Sequence, residues 1–205
     1  MDNKETVKAG YNAIAAKYLA TRSEYSEDVQ LLQELVQRLP DKAKVLDAGC
    51  GAGVPVTKYL SRYFDVTGVD FAEEQIQLAR RLVPQAQFLC HDITQLAFPD
   101  NSFDAICSYY AIIHIPRLEH QALLQNFYRM LRPSGLALLC LGANDLEHDI
   151  AEDYLGIRMY WSHFDAETNL RMLETCGFNL IWSKLVANCS SPGSAHLFVL
   201  AQKTL

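Results

Sequence analysis

Apolar residues recur along this chain with two different periods. Over the first forty positions the spacing is helical. Tyr11, Ile14, Ala15, Tyr18 and Leu19 share one face, and Val29, Leu32, Leu35, Val36 and Leu39 share another. Pro40 and Asp41 close that region. From Lys44 onward the pattern alternates. Short apolar runs at 44–48, 65–69, 87–90, 103–108 and 136–141 predict strands, and 55–63, 73–82 and 118–131 predict helices. "RPSG" before the fifth run reads as a turn. Strand–helix alternation of this kind predicts an α/β, doubly wound sheet covered on both faces. The end of the chain differs. A helix over 166–175, closed by Gly177, precedes two strand-like runs at 178–186 and 196–202. Their link, "ANCSSPGS", is too short for a helical crossover, so an antiparallel hairpin is expected. Residues 142–164 have no simple place in such a sheet and are expected to act as a lid at the strand ends.

Composition narrows the class. The chain has 205 residues, half of them apolar and a fifth charged, with a formal net charge of −6. That is a folded, soluble composition. No basic run of the kind that grips a nucleic-acid backbone is present, so no nucleic-acid partner is expected. No signal-like segment opens the chain and no apolar stretch approaches ~18 residues, so the expected location is cytoplasmic, without a membrane. The six cysteines are dispersed, with no CxxC pair, and read as small buried apolar side chains rather than disulfides or zinc ligands. No metal site is expected. Monomer and homodimer both remain open.

The candidate chemistry begins at "KVLDAGCGAG", residues 44–53. A strand, a glycine-rich turn and a helix at the start of a doubly wound sheet form a ligand site. The dinucleotide pattern G-x-G-x-x-G is not met, because Val54 stands where the third glycine belongs, and no P-loop is present. Asp47 in front of the loop suits a ligand carrying positive charge rather than a pyrophosphate. S-adenosyl-L-methionine has an ammonium, a carboxylate and a sulfonium, and no phosphate. Asp70 ends the second strand 19 positions after Gly51, where an acidic residue can accept ribose hydroxyls. Asp92 ends the third strand, where it can accept from an adenine amino group.

With "VLDAGCGAG", "VTGVD", "HDI", "FDAICSYYAIIHI" and "LRPSGLALL" in that order, the chain resembles the class I S-adenosylmethionine-dependent methyltransferases, of the small stand-alone type, from about Tyr11 to Gly142. The resemblance implies a Rossmann-like, seven-stranded mixed sheet of order 3-2-1-4-5-7-6 with one antiparallel strand. It implies a single domain: a helical cap over 1–40, a cofactor-binding core over 41–141, the lid over 142–164, and a C-terminal helix and hairpin over 165–205. It also implies a site. Gly49 and Gly51 lie against the methionyl part of the cofactor, with Asp47 on its amino group. Asp70 takes the ribose, and Asp92 with Ile93 takes the adenine. Tyr109 lies beside the sulfonium, and Tyr11 or Tyr18 reaches the carboxylate. Where the family usually carries a serine and a methionine after Asp70, this chain has Ala72 and Gln75, so Phe71 or Ile76 is expected to supply the apolar wall.

The methyl acceptor is less marked. His114 follows the fourth strand and is the candidate general base, and a bond to a local carbonyl is the alternative role. Tyr110, His114, Tyr160 and His163 are the candidate acceptor contacts, with core packing as the alternative for the segment "RMYWSHFDAE". Asp165 is expected to cap the helix that follows. The acidic run over 144–153 reads as a solvated helix face, with attraction of an amine acceptor as the alternative. The expected activity is methyl transfer to an O, N or S atom of a small molecule, leaving S-adenosyl-L-homocysteine. A protein or tRNA methyltransferase and a non-catalytic S-adenosylmethionine-binding regulator are the alternatives.

Overall fold

Residues 3–187 and 195–204 are described by a computed structural model. Strand β1 (Lys44–Ala48) lies at the centre, buried over its last four residues. It pairs in parallel with β2 (Asp65–Asp70) on one side and β4 (Phe103–Ser108) on the other. Strand β3 (Gln87–Cys90) extends the sheet beyond β2, and β5 (Leu131–Gly142) beyond β4, both in parallel. The antiparallel strand β9 (Ala195–Lys203) then pairs with β5, and β8 (Phe178–Ala187) closes the edge. The order β3-β2-β1-β4-β5-β9-β8 is the one expected, with β9 as the antiparallel member. The link at 188–194, including Cys189, lies outside the described residues.

Neighbouring residues along the inner strands feed opposite layers, as the period of two requires. Leu46, Ile106 and Leu139 pack against α7 (His120–Met130) and α8 (Ala166–Thr175) through Leu124, Phe127 and Leu173. Val45, Ala105 and Leu138 face the other way, toward Leu32, Leu35 and Leu60. Those three come from the stretch carrying α3 (Glu27–Gln30) and α4 (Gln33–Arg38), and from α5 (Val56–Leu60). A smaller cluster joins α6 (Glu73–Leu82) to β3 through Ile76, Ala79 and Phe88. Asp165 caps α8, its Oδ1 accepting from the Thr168 amide at 2.7 Å.

Three expectations need correction. The fifth strand begins at Leu131, not 136, and "RPSG" is a bend inside it, with Ser134 at φ +62°. Residues 144–153 are not a helix face. They lie in an antiparallel pair of strands, β6 (Leu146–Tyr154) and β7 (Ile157–His163), outside the main sheet. Of the described cysteines, Cys50, Cys107 and Cys140 are buried, but Cys90 is exposed at the β3 edge.

The N-terminal helices reach across the carboxyl ends of the strands. Helix α1 (Asn3–Ala13) rests on the hairpin, with Val7 buried against Met159 and Tyr160. Gly10 permits that approach: a Cβ there would stand 2.9 Å from Ile157 Cδ1. Helix α2 (Ala15–Thr21) follows and contacts α6. Among the described residues no helix is long and apolar enough to cross a membrane.

Candidate functional site

The turn after β1 keeps its backbone close to its neighbours. Gly49 has φ +81°, and a Cβ on it would stand 2.1 Å from Ala111 Cβ. Only glycine fits both conditions. The turn borders an open-mouthed cavity at the carboxyl ends of the strands. Gly49, Gly51, Asp70, Phe71, Asp92, Ile93, Tyr109, Tyr110 and His114 line it, with Tyr11 and Tyr18 from the N-terminal helices. A smaller cavity adjoins it around Tyr18, Arg22, Asp47 and Gly49. The two share Tyr18, Gly49, Gly51, Tyr109 and Tyr110, so they form one bent space.

Each predicted carboxylate has a distinct setting. Asp47 is 1 % exposed and accepts from Thr57 Oγ1 at 2.5 Å. Burial pushes its pKa up to about 7 in spite of that bond. Asp70 accepts the Gly51 amide on Oδ2 at 3.0 Å and the Ala72 amide on Oδ1 at 2.9 Å. Burial raises it to about 6 against those bonds. Asp92 Oδ1 caps a short 3₁₀ turn, accepting from the Thr94 amide and hydroxyl at 2.8 Å each, and Oδ2 takes Lys4 at 3.3 Å. Those contacts leave lone-pair capacity on the carboxylate, and Asp92 borders the cavity beside Ile93.

Arg22 was not singled out by the sequence. It lines the smaller cavity, pairs with Asp28 Oδ2 at 3.2 Å and stacks 4.5 Å over the Tyr110 ring. Tyr110 has φ +58° and donates its hydroxyl to Asp28 Oδ2 at 3.1 Å, while the Tyr109 hydroxyl donates to the Asp28 carbonyl at 2.9 Å. The loop after β4 is thus tied to the N-terminal helices through one buried aspartate. No sequence spacing signals this, since the partners are some eighty positions apart.

His114 is not an open base. Nδ1 lies 2.7 Å from the Tyr160 carbonyl, which can only accept, so Nδ1 carries the proton. Nε2 then accepts from the Tyr11 hydroxyl at 2.8 Å. Burial lowers the His114 pKa to about 4, so the ring is neutral. Burial also raises the Tyr11 pKa well above the usual phenol value. Tyr160 and His163 do not line either cavity. The Tyr160 side chain is 2 % exposed and packs with Val7 and Met159. His163 bonds the Asn144 carbonyl and packs against Gly142. Ile76 lies in the α6–β3 cluster, whereas Phe71 does line the cavity. Among the described residues no cluster of His, Cys, Asp and Glu is arranged to hold a metal ion.

The donor set fits S-adenosylmethionine. One arm offers a carboxylate and a guanidinium for an amino-acid tail, the other a carboxylate and apolar walls for a nucleoside, and a Cβ-free turn lies between. Residues 45–135 match the methyltransferase-domain family. With the sheet order and the site geometry, this makes the segment a class I S-adenosylmethionine-dependent methyltransferase domain. The chain is 38% identical over 100 residues to sterol 24-C-methyltransferase of Neurospora crassa, covering 45% of this chain and 26% of that protein. It is 32% identical over 160 residues to phosphoethanolamine N-methyltransferase 1 of Arabidopsis thaliana, covering 73% and 32%. In each case the matched region spans about a third or less of the relative. In fold it is similar to the 1,6-didemethyltoxoflavin-N1-methyltransferase of Burkholderia thailandensis, a structure with bound S-adenosylhomocysteine. That likeness has a TM-score of 0.74 at 20% identity, covering 97% of this chain and 87% of that one.

Proposed function

We propose that the protein transfers a methyl group from S-adenosylmethionine to a nitrogen, oxygen or sulfur atom of a small molecule. The observation that carries this is the bent cavity, with Asp47 and Arg22 in one arm and Asp70 in the other. Asp47 takes the ligand's ammonium and Arg22 its carboxylate. Asp70 accepts from the ribose, and Phe71 with Ile93 holds the adenine, Asp92 closing that end. When bound, the cofactor supplies a methyl carbon already activated by a sulfonium.

The protein's remaining tasks are to align the acceptor, exclude water and receive a proton. Tyr11 and His114 are suited to the last. As the Tyr11 oxygen accepts the acceptor's proton, its own passes along the 2.8 Å bond to His114 Nε2. The Tyr160 carbonyl steadies the imidazolium by accepting from Nδ1. Tyr11 is then the catalytic contact, and His114 acts through it. Tyr18 and Tyr110 supply aromatic walls for the acceptor.

Helices α1 and α2 cover the cavity through Val7, Tyr11 and Tyr18, with the β6–β7 hairpin packed behind α1, which favours a small acceptor over a protein or tRNA. The named activities of the two relatives, on a sterol and on phosphoethanolamine, point the same way. The test combines calorimetric binding of S-adenosylhomocysteine with labelled-methyl transfer to a panel of amines, phenols and thiols. Binding with transfer to a panel member is expected. Binding without transfer to any small molecule, protein or RNA would make the protein a regulator instead.

A further inference from the structure

Gln75 stands in the first turn of α6, is 1 % exposed and lines the main cavity. Its Nε2 faces the Tyr11 carbonyl at 3.5 Å. That contact orients the carboxamide, because turning it over would set two acceptors against each other. The opposite end, Oε1, is buried with no hydrogen-bond partner among the described residues. A buried amide oxygen left unpaired is destabilising, so its retention calls for an explanation.

Its position suggests one. A Cβ on Gly51 would stand 3.6 Å from Gln75 Oε1, so that oxygen borders the backbone whose amide Asp70 holds. Each Asp70 oxygen already accepts one backbone amide, which leaves each with reduced capacity for a ligand. A ribose presents two hydroxyl donors at this place. The ligand's other donors lie elsewhere: its ammonium belongs to the arm of Asp47, and its adenine amine to the end closed by Asp92.

We propose that Gln75 is a second ribose-reading residue. Its Oε1 accepts a hydrogen bond from one ribose hydroxyl beside Asp70, and its Nε2 couples that contact to the helix carrying Tyr11. This rests on the S-adenosylmethionine reading of the cavity. The experiment is isothermal titration of the full chain and its Gln75→Met variant with S-adenosylhomocysteine and with its 2′-deoxy and 3′-deoxy analogues. Gln75→Leu is measured in parallel, and circular dichroism checks that each variant is folded. Loss of one such bond weakens S-adenosylhomocysteine about 3- to 10-fold. The analogue lacking the recognised hydroxyl binds wild type and variant alike. The proposal is overturned if the variants bind S-adenosylhomocysteine as tightly as wild type, or lose the same factor for both deoxy analogues. A wild-type protein that binds no S-adenosylhomocysteine overturns the cofactor reading and this inference with it.

Discussion

His114 and Tyr11 are joined as a hydrogen-bonded pair. The carbonyl on Nδ1 sets the tautomer, and the tautomer sets the direction of the Tyr11 bond. Tyr11→Phe and His114→Ala should each lower kcat by about 10²-fold, the low end for general acid–base catalysis, with S-adenosylhomocysteine affinity little changed. Single-turnover assays with calorimetry decide this, and an unchanged kcat would end the proton role. Asp70→Ala removes the carboxylate assigned to the ribose in the proposed function and should weaken S-adenosylhomocysteine at least about tenfold. Affinity should also depend on pH. Asp47, held up to about 7 by burial, must be ionised to meet an ammonium, so binding releases a proton below that pH. Titrations should give tighter binding at pH 7.5 than at pH 5.5, and Asp47→Asn should flatten the difference. At this scale Asp47, Gly49, Gly51 and Asp70 were legible in the sequence, because each sits at a strand end next to its turn. Arg22, Asp28 and the Tyr11 bond to His114 were not. Tyr11 and His114 are 103 positions apart, and only folding brings them together.

The cover over the strand ends is built by elements far apart in the chain, α1 near its start and β6 and β7 beyond residue 145. Helix α1 is held at one end by Lys4 on Asp92 and Glu119, and further along by Lys8 on Glu73 at 2.8 Å. Gly10 allows it to lie on β7. Gly10→Leu should cost about 1–3 kcal/mol through overpacking and lower the melting temperature. It should also speed hydrogen exchange in α1 while leaving the central strands protected. Equal exchange in α1 would contradict the packing role. The alternating strands and helices of the core were readable because their apolar periods are unmixed. The segment at 144–153 was not. Leu146, Ile150 and Tyr154 recur every four residues, which satisfies both a helical face and one side of a strand. Pairing with β7, as in Ile150 with Tyr160, decides for the strand.

Across the whole molecule, the ligand-free site opposes stability at neutral pH. Asp47 and Asp70 keep protons in the folded chain up to about 7 and about 6, whereas unfolded carboxyls lose theirs near 4. The unfolded chain therefore binds fewer protons between those values, and this contribution falls as pH rises through them. His114, His120 and His196, lowered to about 4 mainly by burial, act in the opposite sense. Their contribution grows as pH rises from about 4 to 6.5, which offsets the carboxylates there but not above. Asp47→Asn keeps the shape and the bond from Thr57, so it should raise the ligand-free melting temperature at pH 8 while weakening S-adenosylhomocysteine. A melting temperature at pH 8 no higher than wild type would count against a buried, strained carboxylate.

By itself the amino-acid sequence determined the layered α/β core, the glycine turn and the row of acidic strand ends, since these depend on residues within a few positions of one another. The strand order came through resemblance rather than spacing. Only the tertiary structure decided that Asp92 also caps a short turn and pairs with Lys4, that Tyr160 and His163 pack away from the cavity, and that His114 Nε2 meets the Tyr11 hydroxyl. Each of those outcomes turns on which distant side chain or carbonyl fills a residue's hydrogen-bonding capacity. Local sequence carries no record of that choice, which is made when α1 and the hairpin close over the strand ends.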